Sequence, residues 1–359
     1  MKVLSNVVFV IIILLTSLNS LYAKDYEIHT KDRPKIFLFI SGIHHLSDLK
    51  QYSKFLENKN IYGVQILFRW KDLETSKDKY DLKLIGEALD YLDSLNKKLW
   101  IQLQDRSFIP TDIPVPKYIL SKEYNGGIAK QRNADGYSGW ITKQWNKKVR
   151  DRFQKLITAI SKKYDGKIYG INLPETAVDL EKMDDTFCHS YFDATYENMI
   201  FLNQSFKQTK VVQYVNYFPC EWANNKGYTA KIFQYAIKHS VGLGSPDIVP
   251  CLKNQMSNTY PLFHKYKDKL FIAMAVQEAD YWNIRQVTGQ NFRMAEFYNF
   301  AKNYLGTDII FWGVSEPNFS KRVYPEIQSN KLFNSKINAK LSDCKSSIPK
   351  YYEYPKLDL

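Results

Sequence analysis

Short runs in which nearly every residue is apolar, β-branched or aromatic alternate along this chain with longer amphipathic stretches. The runs are KIFLFIS (35–41), YGVQILF (62–68), KLWIQLQ (98–104), KIYGINL (167–173), KVVQYVN (210–216), VGLGSPDIV (241–249), LFIAMAV (270–276) and DIIFWGV (308–314). An apolar run of this length reads as a strand buried on both faces, the habit of a parallel sheet. The stretches between them repeat apolar residues every three or four positions and read as helices. The clearest are LSDLKQYSKFLENK (46–59), DLKLIGEALDYLDSLN (81–96), KKVRDRFQKLITAISKKY (147–164) and NFRMAEFYNFAKNYL (291–305). Ser47 and Asp81 stand where N-caps are expected.

Eight strand–helix units predict an α/β fold, a (β/α)8 TIM barrel, since eight parallel strands close on themselves. An open doubly wound sheet would carry a glycine fingerprint after its first strand. SGIHH (41–45) has one glycine, and no P-loop occurs. No Pro/Gly/Ser linker divides the chain, so one domain is expected over 24–359, with a tail from about 320 packed on the barrel. The connection from Asp105 to Thr142 is far longer than most strand–helix loops. Its prolines, aromatics and Gly-Gly predict an ordered cover on one side of the barrel mouth.

In such barrels chemistry is built where the strands end. GINLPETAVD (170–179) ends the fourth run by presenting Glu175, and VQEADYW (276–282) ends the seventh with Glu278. Strands four and seven face each other across a closed barrel. Two carboxyl groups about 5–5.5 Å apart serve a retaining glycosidase, one protonated to release the leaving oxygen and one ionised to attack. Proximity itself separates their pKa values. Asp280 is a rival to Glu278 two residues on. Trp70, Trp222, Trp282 and Trp312 fall at or beyond strand ends, Trp140 and Trp145 close the long connection, and only Trp100 is placed inside a strand. Flat apolar faces with a hydrogen-bonding edge suit sugar rings. The expected substrate contacts are Arg69, Trp70, Gln104, Asp105, Asn216, Tyr217, Trp282 and Trp312, with Tyr217 orienting the nucleophile.

FRWKDLETSKDKYDLKLIGEALDYLDSLNKKLWIQLQD (68–105) resembles strands two to three of glycoside hydrolase clan A, above all the family 42-like barrel of β-galactosidase type. FWGVSEP (311–317) is similar to the clan's final strand, whose tryptophan lies under the sugar. The resemblance implies an acid/base at Glu175 and a nucleophile at Glu278. It departs at Pro174, where the clan has asparagine. Asn172 lies three residues before Glu175, on the other face of a regular strand. A contact to the sugar 2-hydroxyl then falls to Gln104 or Asn216. GINLPE lacks the two aspartates of family 18 chitinases. The adjacent His44 and His45 do not make the H-x-H of a metal-dependent amidohydrolase, and no G-x-S-x-G elbow occurs.

Composition adds a location. Lys2, the run VVFVIIILL (7–15) and TSLNSLYA (16–23) have the layout of a signal peptide cut after Ala23, predicting a secreted or periplasmic protein without membrane insertion after cleavage. Export permits one or two disulfides among Cys188, Cys220, Cys251 and Cys344, with all three pairings open. No C-x-x-C occurs and the cysteine spacings do not suit zinc, and the two-glutamate mechanism requires neither a metal nor another cofactor. Asn203 and Asn318 are sequons, relevant only in a eukaryotic host. The net charge of +13 allows contact with an anionic cell surface, but no motif for nucleic acid accompanies it. The expectation is a secreted retaining glycoside hydrolase of oligo- or polysaccharides, working by two-glutamate double displacement. The alternative is an inactive barrel that binds carbohydrate or a host partner through the same aromatic mouth.

Overall fold

Each of the eight apolar runs contributes a strand to one parallel sheet in the computed structural model. The structure describes residues 33–133, 136–222, 224–284, 289–334, 348, 352 and 354–359; the expected leader (1–23) and Cys344 lie outside them. The strands are β1 (Lys35–Ile40), β2 (Ile61–Arg69), β3 (Lys98–Gln104), β4 (Gly170–Leu173), β5 (Lys210–Tyr214), β6 (Gly242–Gly244), β7 (Ala273–Val276) and β8 (Ile309–Gly313). Their order is β6-β5-β4-β3-β2-β1-β8-β7. The two ends meet through Leu243 N–H to Phe271 O and Ala275 N–H to Ser245 O, both 3.0 Å. The result is a (β/α)8 TIM barrel.

The strands are buried on both faces, but the two faces do different work. Phe37, Trp100, Phe271 and Phe311 fill the interior, with Trp100 and Phe311 centroids 5.1 Å apart. Gly170 makes room for this plug, because a Cβ there would lie 2.2 Å from the Trp100 ring. One pleat nearer the strand ends the filling turns polar. Asn172 Oδ1 accepts from Gln65 Nε2 and Trp100 Nε1, each at 2.9 Å, and Gln65 Nε2 also donates to the Tyr214 hydroxyl at 3.1 Å. The opposite faces, including Leu38, Ile66, Leu103 and Ile171, pack under the helices.

The main outer helices are Lys83–Ser94, Lys147–Tyr164, Asp185–Ser205 and Tyr228–Lys238. Asp81 lies one residue before the N-cap, Leu82, and accepts from Lys83 N at 3.0 Å. Ser47 does not cap. The first helical stretch breaks into Leu46–Lys50 and Ser53–Leu56, and Asp48 takes the free N–H groups of His44 and His45 at 2.9 and 2.8 Å. Residues 319–334 form helical turns that return to the start of the ring. Phe319 meets Phe55 at 5.1 Å, and Asn60 Nδ2 donates to Ile327 O at 3.0 Å.

The long connection is ordered. Arg106–Ser107, Ile128–Asn133 and Gly136–Thr142 make a small antiparallel sheet. Asp112 fastens it to the end of β2 through Lys71 (2.5 Å) and Arg69 (3.3 Å). Tyr118 fastens it to Glu74, donating its hydroxyl at 3.0 Å.

Candidate active site

Pro174 ends β4, since it has no N–H to continue the ladder. Its carbonyl is taken by Gln213 Nε2 at 2.7 Å. The chain then turns, and the Glu175 carboxylate accepts a short hydrogen bond from Asn216 Nδ2, beyond the end of β5. Asn216 also fixes the turn itself, its Oδ1 accepting from Ala177 N at 2.9 Å and Tyr217 N at 3.0 Å. On the β3 side the buried guanidinium of Arg106 donates to Ala177 O at 2.6 Å and the Tyr191 hydroxyl at 3.2 Å. Tyr191 in turn donates to Thr176 O at 3.1 Å. The segment after Glu175 is therefore gripped from both neighbouring strands. Burial pushes the Glu175 carboxyl above the usual carboxylate range, while the Arg106 charge and the Asn216 hydrogen bond pull against it.

Behind Glu175 lies a small cavity bordered by Asp105, Arg106, Gln144, Tyr191, Asn198 and Gln213, with space for about two water molecules. Asp105 lines this cavity. It accepts from Gln144 Nε2 at 2.7 Å, and burial raises its pKa.

Two more carboxyls stand at the seam of the barrel. Asp247 follows β6. Asp280 follows β7 and is buried, its Oδ2 accepting from Gln277 N at 2.8 Å and Ile248 N at 3.4 Å. Burial, then the nearby charge of Glu175, pushes Asp247 up to about 7. Burial, then the charge of Asp247, pushes Asp280 well above the ordinary range. Glu175, Asp247 and Asp280 thus lie in one electrostatic neighbourhood. Glu278 is exposed, at the start of the tight turn Ala279–Trp282.

The expected substrate contacts divide. Tyr217, Trp222 and Trp282 are 38%, 55% and 58% exposed beyond the ends of β5 and β7. Gln104 is buried with its Oε1 unpartnered, and Arg69 is engaged by Asp112. Trp312 and Trp70 are corrections. Trp312 is fully buried on the helix-facing side of β8, stacked on Tyr281 at 6.5 Å, because Phe311 is the residue that points inward. Trp70 is fully buried against Phe153 at 5.2 Å and donates its indole N–H to Glu74 at 2.7 Å. The tryptophans do not all gather at the mouth. Arg106 and Tyr191 were not on the expected roll. Arg106 is at a strand end, but Tyr191 sits mid-helix among aromatics, where spacing gives no hint of a polar task.

Among solved structures, the β-galactosidase of the psychrophilic Marinomonas ef1 has a TM-score of 0.51 at 8% identity, over 77% of this chain and 53% of that one. The chain spans about half the length of that enzyme. What the two share is the (β/α)8 barrel fold. A GH10 endoxylanase from a sugarcane soil metagenome aligns with TM-score 0.47 and 10% identity over 82% of this chain and 91% of that one. An endo-1,4-β-xylanase from Caldicellulosiruptor owensensis gives 0.48 and 13% over 80% and 87%. At such identities the likeness is one of architecture. No family model matches the chain, and no curated protein matches its sequence.

Proposed function

We propose that this chain is a secreted retaining glycoside hydrolase acting on an oligo- or polysaccharide, with Glu175 as its general acid/base. The observation that carries the reading is the setting of Glu175. It follows β4 directly, burial raises its pKa, and Asn216 holds its carboxylate from beyond the end of β5. A proton held there can pass to a leaving glycosidic oxygen, and the same carboxylate can then take a proton from water. The attacking carboxylate comes from the β6–β7 side of the mouth. Tyr217, Trp222 and Trp282 offer exposed ring faces for sugar. The Cys188–Cys220 bridge supports an exported location.

The test is hydrolysis of 4-nitrophenyl glycosides and common plant and microbial polysaccharides, wild type against Glu175→Gln. Loss of about 10²–10⁴ in kcat is expected on substrates with poor leaving groups. Unchanged turnover in Glu175→Gln would refute the assignment. The exposure of Glu278, the nucleophile expected from sequence, favours one other reading, a carbohydrate-binding barrel without turnover. Glycan binding by calorimetry with no cleavage across the panel would select it.

A further inference from the structure

We propose that Arg106 is a positioning residue for Glu175, and that the long connection reaches the acid/base through it. The proposal rests on the glycosidase reading and gives the long connection a part in the reaction.

The attachment is built by the fold. Arg106 stands two residues beyond β3 and opens the small antiparallel sheet, where it pairs with Ile141. Gly139 lets that sheet close up, because a Cβ there would lie 2.0 Å from Ser107 O. The backbone of Arg106 thus belongs to the long connection, while its side chain crosses to the turn after β4. Nη1 donates to Ala177 O at 2.6 Å. Nη2 donates at 3.2 Å to the Tyr191 hydroxyl, which itself donates to Thr176 O at 3.1 Å. The same sheet takes a further hold, Arg132 N donating to Asp179 O at 3.0 Å. The carbonyls of Thr176, Ala177 and Asp179 are all tied to the long connection, directly or through Tyr191. From the other side Asn216 holds Ala177 N and the Glu175 carboxylate.

The charge adds what the hydrogen bonds do not. Arg106 is 6% exposed, its Nη atoms meet neutral acceptors, and its Nε has no partner among the described residues. Burying an ion is costly where neutral donors could tie the same oxygens. The ion brings a positive charge to the cavity that Glu175 also lines. A guanidinium does not titrate in the working range, so that charge is the same at every pH. Asp105 and Tyr191 line the cavity as well, and Tyr217 and Asp247 lie within reach of the Glu175 charge from beyond β5 and β6. Arg106 is the cation among these groups. Burial raises the Glu175 carboxyl, and Arg106 opposes the rise. A group that gives a proton in one half of the reaction and takes one in the other needs both influences, since burial alone would leave the carboxyl unwilling to ionise.

The experiment compares the full-length wild type with Arg106→Gln, Arg106→Lys and Tyr191→Phe. Hydrolysis of 4-nitrophenyl glycosides is followed across pH. The Glu175 carboxyl is titrated by carbon-13 NMR of glutamate-labelled protein, its signal identified by its loss in Glu175→Gln. Arg106→Gln removes the charge and should raise the Glu175 midpoint by about one pH unit or more, the alkaline limb of kcat/KM moving up with it. Arg106→Lys and Tyr191→Phe keep the charge and lose part of the grip. Both should lower kcat by about tenfold or more, with KM little changed and the limb in place. A residue that only supported the fold would move neither midpoint nor limb. An unmoved midpoint and limb in Arg106→Gln, with hydrolysis intact, overturn the proposal and leave the hydrolase reading standing. So does wild-type kcat in both Arg106→Lys and Tyr191→Phe, a result that decides the matter even if Arg106→Gln does not fold. No hydrolysis by the wild type on any glycoside removes the hydrolase reading and this proposal with it.

Discussion

Replacing Arg152 with methionine should weaken the fold at one definable point. The Arg152 guanidinium is buried and donates to Glu74 at 2.5 Å, to Asp78 at 2.8 Å and to the Tyr118 hydroxyl at 2.8 Å. Glu74 is fully buried and also accepts from Trp70 Nε1 (2.7 Å), Asp78 N (2.9 Å) and the Tyr118 hydroxyl (3.0 Å). Methionine keeps most of the apolar stem and removes every donor. Glu74 is then a buried charge held by neutral groups alone, and breaking such a pair from one side costs about 3–5 kcal/mol. The Asp78 contact adds little, because that carboxylate is half exposed. Removing both charges in Glu74→Gln/Arg152→Met leaves no buried ion, and more than half of the loss should return. Urea unfolding measures both, as a midpoint shift at constant slope. Tyr118 belongs to the long connection, so Arg152→Met should also admit protease cleavage within 105–142. A loss below about 1 kcal/mol, or a double variant no better than the single one, would refute the claim that this pair is dry and interdependent.

Three further outcomes follow from the site. Serine at both Cys188 and Cys220, which are 32 residues apart, should cost about 3–4 kcal/mol by loop entropy, read by denaturant midpoint, and should loosen the turn carrying Asn216 and Tyr217. Trp282→Ala should weaken glycan binding in titration calorimetry with the melting temperature nearly unchanged, whereas Trp312→Ala should cost about 3–5 kcal/mol of stability; equal melting temperatures would contradict the burial of Trp312. Asp247 faces Glu175, Asp280, Tyr214 and Tyr260, and its folded pKa of about 7 lies above the ordinary 3.8. Between those values the folded state keeps a proton that the unfolded state has lost, so this group's contribution falls as pH rises from 4 to 7. Asp247→Asn should therefore gain stability over wild type at pH 8 and little at pH 4.5; a pH-independent difference in urea midpoints would sink this.

The barrel was legible because parallel strands buried on both faces leave unbroken apolar runs; seven of the eight runs contain their strands whole, and β2 exceeds 62–68 by one residue at each end. The same property hid the direction of the side chains. In β8, Phe311 and Trp312 are both apolar, and only the register with β1, Phe37 opposite Phe311 and Leu38 opposite Trp312, shows which one enters the barrel. Expecting Trp312 under a sugar required a parity that the strand does not advertise. VGLGSPDIV shows the converse, since only Gly242–Gly244 keeps strand geometry. At the end of β7 the limit is different. Counting residues from a strand end assumes extended backbone, but Glu278 already has helical dihedrals, φ −56° and ψ −46°. The turn presents Asp280 inward and Glu278 outward.

This bears on what the resemblance to clan A can carry. Its strongest segment, 68–105, contains Trp70, Glu74 and Asp78, and none of them faces the mouth. Together with Arg152 and Tyr118 they form a buried lock where the chain leaves β2 and passes beneath the long connection. Such a lock is constrained by packing and by a buried charge, and it touches nothing at the mouth. The shared pattern therefore speaks for architecture. Asn172 makes the same point from the other side: it stands near the expected place of a substrate contact, yet it is spent inside the barrel on Gln65 and Trp100. The burden of function moves to the groups that architecture does not require, a desolvated Glu175 aimed by Asn216 and a carboxyl pair at the seam. Burying three acids in one neighbourhood opposes folding, and a fold with no use for them would be more stable without them.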